Sequence, residues 1–245
     1  MKKNLLISSA ILGLTLVSSA ATVFADDGGT YPTTGSVSFV AGDDVTPPTD
    51  PTEPGNPVQP IDPPTPVGGA LSIDYASNFK FGEQKISTDD EQYFAALDQF
   101  KNPDGGDNIE NVNYVQVTDK RGSLVGWNLS AEQVGQFETA EHEVLTGAQL
   151  KINTASAVAG VADGSLDTYT PSTVANKITF TPGVSQPGIT AEAGKGAGTW
   201  VYRFGDTKKD GATAVELDVP GKTVKLAKQY TTTINWTLAT TPDNV

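Results

Sequence analysis

The chain has no cysteine, and it has one histidine and one methionine in 245 residues. Without cysteine it can build no disulfide framework, thiolate metal site, Cys nucleophile or lipid-bearing Cys. His142 alone cannot supply a His-clustered metal site or a two-His acid–base pair within one chain. Bases are scarce too, with 16 Lys and Arg against 29 Asp and Glu and a formal charge of -13. A nucleic-acid binder needs a basic footprint to release phosphate counterions, so that class is excluded. The apolar stretch from Leu5 to Val17 is shorter than the ~20 residues that cross a bilayer, which argues against membrane insertion.

What that stretch does resemble is an export signal. Lys2 and Lys3 form a positive start, Leu5 to Val17 an apolar middle, and Val23-Phe24-Ala25 a small-residue cleavage site. Residues 1–25 are expected to be a signal peptide cut before Asp26, making the protein secreted. The exported chain would then carry 14 bases against 29 acids, a formal charge of -15. Export without cysteine fits a Gram-positive cell, where folding does not rely on oxidation. The C-terminus, Thr241-Pro242-Asp243-Asn244-Val245, shows neither an apolar tail nor a Leu-Pro-x-Thr-Gly sorting sequence. The expectation is a protein either free in the medium or held at the surface by noncovalent contacts.

Nine of the 16 prolines lie between Pro47 and Pro66. Proline fixes φ and removes a donor, so residues 47–68 read as an extended linker or strap, outside any helix or sheet interior. Before it, residues 26–46 form an N-terminal segment in which 35–41, Gly-Ser-Val-Ser-Phe-Val-Ala, alternates like a strand. A lone strand is not stable, so it is expected to dock on the main domain through Val37 and Phe39, or to pair across chains.

Residues 69–245 read as one β domain. Apolar residues sit two apart in Leu71-Ile73-Tyr75, Val115-Val117, Leu150-Ile152, Ile178-Phe180, Trp200-Tyr202-Phe204, Val215-Leu217-Val219, Val224-Leu226 and Ile234-Trp236-Leu238. Turn signals separate them, including Pro103 to Gly106, Arg121-Gly122, Ala162 to Gly164, Thr181 to Gly183 and Asp210-Gly211. Many short strands with such turns predict an all-β fold, an antiparallel β-sandwich or barrel-like domain. One or two short helices are expected beside it, at Ser87 to Leu97 and Ser130 to Phe137. Charge is uneven: residues 26–110 hold 16 acids and 3 bases, residues 111–245 hold 13 and 11. A solvated acidic face explains this most simply. The alternative is that the C-terminal strands approach an anionic polymer that the acidic half avoids.

The residues that could carry function are two tripeptides 109 positions apart, Trp127-Asn128-Leu129 and Trp236-Thr237-Leu238. In a strand, Trp and Leu two apart share a face. Indoles serve as core or as anchors that stack on sugars and partner surfaces. We expect Trp236 in the core and Trp127 partly exposed. Four runs together are similar to the WxL-domain surface proteins of low-GC Gram-positive bacteria. They are Phe81 to Ser87, Val115 to Ser130 with the first motif, Leu145 to Ile152, and Tyr230 to Pro242 with the second. The resemblance implies noncovalent attachment to the cell wall and transfers to Trp127, Leu129, Trp236 and Leu238. The partner it implies is peptidoglycan or another wall polymer. Alternatively, the chain is a structural or adhesive subunit of a complex with sister WxL proteins, reaching the wall through a membrane-anchored WxL-interacting protein.

Enzymatic readings are weak. No carboxylate pair sits in a glycosidase motif, although 29 acids guarantee candidates. His142 lies between Glu141 and Glu143, and no G-x-S-x-G turn surrounds any serine, so a Ser-His-Asp triad is not supported. Asn102 to Glu110 offers oxygens for calcium but misses the EF-hand spacing, and a plain turn is favoured. The chain is therefore read as a binding protein, with no catalytic residues, cofactor or metal assigned.

Overall fold

A computed structural model describes residues 30–63, 65 and 68–240. The expected signal peptide lies outside the described residues. The chain divides into two compact units, Met1–Ser38 and Phe39–Val245, and the described residues of the first carry no strand or helix.

In the second unit the strands run β1 Leu71–Ala76, β2 Glu91–Phe94, β3 Asp98–Phe100, β4 Ile109–Asn111, β5 Tyr114–Asp119, β6 Trp127–Gln133 and β7 Gln149–Ile152. They continue as β8 Ser156–Ala159, β9 Thr173–Val174, β10 Ile178–Thr179, β11 Ser185–Ala191, β12 Gly198–Arg203, β13 Val215–Val219 and β14 Ile234–Thr240. One 3-10 turn, Asp167–Tyr169, and one helical turn, α1 Lys208–Gly211, interrupt them. Thr207 caps α1, its hydroxyl accepting from the Asp210 amide at 3.2 Å.

Three four-stranded sheets form, in the orders β1-β5-β12-β8, β10-β7-β13-β2 and β14-β6-β11-β9, with a β3-β4 hairpin beside them. Every pairing is antiparallel. This is the all-β, sandwich-like class that the alternation predicts. All three sheets feed one core: Val115, Val117, Trp200 and Tyr202 from the first, Leu150, Ile152 and Leu217 from the second, Trp127, Leu129 and Ile189 from the third.

β5 is buried at all six positions, on both of its faces. Its outer face is covered by a second cluster of Tyr75, Phe100, Tyr114 and Val201, with Val58 of the proline-rich segment packed against it. The rings of Tyr75 and Tyr114 lie 4.8 Å apart. The proline-rich segment makes backbone bonds where its remaining donors allow. Ile61 N donates to Gln99 O at 3.0 Å, and Lys101 N donates to Gln59 O at 2.8 Å. Gln116, from the middle of β5, accepts from Thr49 N at 2.8 Å and donates to Pro47 O at 3.0 Å. The same Gln116 amide donates to Asp74 Oδ2 at 2.9 Å, where Thr118 Oγ1 also donates at 2.5 Å. Ser72 Oγ donates to Asp74 Oδ1 at 2.7 Å. Burial pushes the Asp74 carboxyl above its ordinary 3.8, and these three hydrogen bonds only partly offset that.

Several local expectations give way. Residues 35–41 form no strand, and Phe39 and Val40 are 90% and 92% exposed. Without a neighbouring ladder, alternation alone does not hold a strand. Neither expected helix forms. Glu91–Phe94 pairs with β13, with Tyr93 opposite Leu217, and Trp127–Gln133 runs as a strand between β11 and β14. In both cases tertiary pairing overrides a helical spacing that was only a few residues long. Val224 and Leu226 lie in a loop. It is organised by Lys225 Nζ, which donates to the carbonyls of Ser87, Pro220 and Thr223 at 3.1, 2.9 and 3.1 Å.

Candidate functional site

The two tripeptides are far apart in the chain and side by side in the fold. β6 and β14 pair antiparallel without a slip, with Leu129 opposite Leu238, Ala131 opposite Trp236 and Asn128 opposite Ala239. Trp127, Leu129, Trp236 and Leu238 all point into the core, while Asn128 and Thr237 between them point the other way. Ala131 faces Trp236 and leaves room for its indole.

The environments of the two indoles are the reverse of the expectation. Trp127 is fully buried, and its Nε1 donates to Gly196 O at 2.9 Å. Gly196 stands at φ +76°, and a Cβ there would come within 2.3 Å of Trp127 Nε1. Only glycine tolerates both the backbone and the contact. Trp236 is half-buried, because β14 is the edge strand of its sheet and pairs with β6 on one side only. Its ring stacks on Phe204 at 6.0 Å and meets the edge of Tyr202 at 6.3 Å. Strand position decides the difference: β6 is central, β14 is not.

Arg121 ties the ends of these strands together. Its Nε and Nη2 donate to Asp119 Oδ1 and Oδ2 at 2.9 and 2.7 Å, its Nη2 also to Gly126 O at 2.8 Å, and its Nη1 to Thr240 Oγ1 at 2.8 Å. Asp119 is almost wholly covered, with a side chain 3% exposed. A forked guanidinium suits a buried carboxylate and a carbonyl at once. The sequence signal here was only an Arg-Gly turn.

The outward side of the sheet follows from the register. Ala239, Asn128, Thr190 and Thr173 form one row across its four strands. Thr237, Ser130 and Pro187 form the next, and Asn235, Glu132 and Ser185 the third. Among these ten side chains Glu132 carries the single charge, and none is aromatic. A chain of formal charge -13 thus presents a nearly neutral face of hydroxyls and amides. Sequence reasoning missed β11 and β9 because Ser-Gln-Pro-Gly-Ile-Thr-Ala reads as a turn. A register shift between Pro187 and Ile189 accommodates its Pro-Gly.

The remaining candidates lie elsewhere. His142, at φ +66°, is in an exposed turn with Nδ1 3.1 Å from Glu138 Oε1. The Asn102 to Glu110 stretch closes the β3-β4 hairpin, and Asn102 Oδ1 accepts from Asp104 N at 3.0 Å. That is a side-chain-capped turn. Among the described residues no three His, Cys, Asp or Glu side chains converge as a metal site. No helix among them is long and apolar enough to cross a membrane.

No curated protein and no solved structure matches the chain. A family described as "WxL domain surface cell wall-binding" matches residues 26–242. That range takes in both tripeptides and all three sheets, and the chain belongs to this family of WxL-domain, cell-wall-binding surface proteins.

Proposed function

We propose that this secreted protein attaches noncovalently to peptidoglycan through the outward face of the β14-β6-β11-β9 sheet, and that it is a binding protein without catalysis. The observation that carries this reading is the pairing of the two motif strands. Their Trp and Leu side chains are committed to the core, which leaves the intervening Asn128 and Thr237 and their row neighbours as the surface. Hydroxyls and amides at ~5 Å lateral spacing match the hydroxyl and acetamido groups of wall glycans and the amides of stem peptides.

Affinity on such a face comes from short-range hydrogen bonds and excluded water. A long-range attraction between this acidic chain and an anionic wall is not available. Binding should therefore hold steady, or rise, as salt screens the like charges. The test is sedimentation of the exported chain with purified peptidoglycan across a NaCl series. The variant Ser130→Ala/Thr237→Val removes two hydroxyls from the face without adding charge or touching the core. We expect salt-insensitive binding that this variant lowers ~10-fold or more, the loss of about 1.4 kcal/mol. Binding that disappears at moderate salt, or that the folded variant retains, overturns the reading. Binding to whole cells but not to purified peptidoglycan would instead make the chain a subunit that reaches the wall through a surface partner.

A further inference from the structure

β2 ends the β10-β7-β13-β2 sheet and pairs with β13 on one side. Ala95 N donates to Val215 O at 2.9 Å, which fixes the alternation along this ladder. Glu91 and Tyr93 turn their backbone groups to β13, and Gln92 and Phe94 turn theirs outward. Just past the strand, Ala96 N points the same outward way and donates to Lys80 O at 2.8 Å. Among the described residues no hydrogen bond reaches the outward amides and carbonyls of Gln92 and Phe94. A groove of about 620 Å³ opens beside them, lined by Asp90, Gln92, Phe94, Asp218 and Pro220. The Phe94 side chain is 39% exposed there.

Charge decides what this edge accepts. Asp89, Asp90 and Glu91 lead into β2, and Glu216 and Asp218 stand opposite Phe94 and Gln92 on β13. Lys151 pairs with Glu216 at 3.2 Å and with Asp218. The Lys225 amine is spent on the carbonyls of Ser87 and Pro220. Asp90 Oδ1 accepts from Gly221 N at 2.7 Å, and among the described residues Asp89, Asp90 and Glu91 have no ion pair. A second copy laid against this edge in a two-fold pair would set these carboxylates against their like, and an anionic polymer would meet the same repulsion. The open backbone groups call for another backbone, and the carboxylates call for cations.

We propose that β2 is the docking edge for an extended segment of a basic protein partner. The segment adds one more strand to the sheet and sets Lys or Arg side chains against Asp90 and Glu91 and over the Phe94 ring. Pairing with the outward groups of Gln92 and Phe94 supplies the main-chain hydrogen bonds. The acids reject strands of the wrong charge, and the ring face takes a cation. This goes beyond wall binding and does not depend on it, because β2 and the β14-β6-β11-β9 face belong to different sheets.

The probe is the synthetic peptide acetyl-Arg-Val-Lys-Val-Arg-Val-amide, whose bases alternate along one strand face. It is titrated into the isotope-labelled exported chain and followed by amide NMR shifts. We expect saturable shifts centred on Gln92 and Phe94, with a Kd on the order of 100 μM that weakens as NaCl rises. That salt response is opposite to the one expected of wall binding, so the two readings fail separately. Asp90→Asn/Glu91→Gln should weaken binding ~5-fold and Phe94→Ala ~3-fold. Gln92→Pro deletes an outward N–H and no bond to β13, which an edge tolerates. It should bind ~5-fold more weakly than Gln92→Ala, which keeps that N–H. If Gln92→Pro does not fold, Asp90→Asn/Glu91→Gln decides. No saturable shift at ~1 mM peptide overturns the proposal, as do shifts spread evenly over the acidic surface. So does equal binding by folded Gln92→Pro and Gln92→Ala, or full binding by Asp90→Asn/Glu91→Gln.

Discussion

The contrast between the two motif tryptophans makes a quantitative prediction. Trp127→Ala removes a fully buried indole from the centre of the core and leaves the Gly196 carbonyl without its donor. A sealed cavity of that size costs about 3–5 kcal/mol. Trp236→Ala removes a half-buried ring at an edge, where the void opens to water and part of the apolar area was already wet. That loss is about 1–2 kcal/mol, most of it the contacts with Phe204 and Tyr202. For a domain above 200 residues, 1 kcal/mol moves the melting point by ~2–4 °C. Thermal unfolding followed by circular dichroism should show a drop of about 6–20 °C for Trp127→Ala and about 2–8 °C for Trp236→Ala. Urea midpoints should rank the same way. Equal losses, or a larger one for Trp236→Ala, would refute the argument that position in the sheet, and not the motif itself, sets each residue's contribution.

Two further expectations come from buried polar groups. Arg121→Ala leaves Asp119 covered and unpaired and should lower urea stability by about 3–5 kcal/mol; Arg121→Lys should recover only a fraction, because one ammonium cannot reproduce a forked contact. Asp74 binds its proton more tightly in the folded chain than in the unfolded one, so its contribution to stability is full below pH 3.8 and is lost as pH rises from there through its raised folded value. In Asp74→Asn the side-chain oxygen still accepts from Gln116 and Thr118 and the new NH2 donates to Ser72. Its stability should therefore stay within about 1 kcal/mol of wild type at neutral pH. The wild-type-minus-variant difference should be flat below pH 3.8 and fall as pH rises from 3.8 through the raised folded value, and a pH-independent difference would show that Asp74 titrates as it does in the unfolded chain.

Alternation was legible wherever a strand was long and apolar on one side. β1, β12, β13 and β14 lie where Leu71, Trp200, Val215 and Ile234 begin their periods. The even-numbered residues of β14 face inward as that period predicts. β6 was half legible. Trp127 and Leu129 declare its inner face, but Ala131 and Gln133, also buried, look like the start of a polar helix. Ala131 is small because it sits across from Trp236, a partner more than a hundred residues away that no local pattern reveals. The relative burial of the two tryptophans was illegible for the same reason. Both stand in Trp-x-Leu tripeptides, and only the order β14-β6-β11-β9 makes one strand central and the other an edge. The outward face, too, is a product of pairing: its rows join residues from four strands, each carrying one or two hydroxyls that mean nothing alone.

The register explains why a buried motif can govern a surface. The side-chain period of a strand is two, so sliding β14 by one residue past β6 would turn Trp236 and Leu238 out to water and Asn235 and Thr237 into the core. With Leu129 against Leu238 and Trp236 over Ala131, that slip exposes two large apolar groups and buries an amide and a hydroxyl at once. Each error costs on the order of 1–3 kcal/mol, which makes the paired register far more stable than its neighbours. The Trp and Leu positions thus act on any ligand at one remove. They fix which hydroxyls and amides stand in line on the other side of the sheet, and a face that attracts nothing at long range depends on that alignment for whatever it holds.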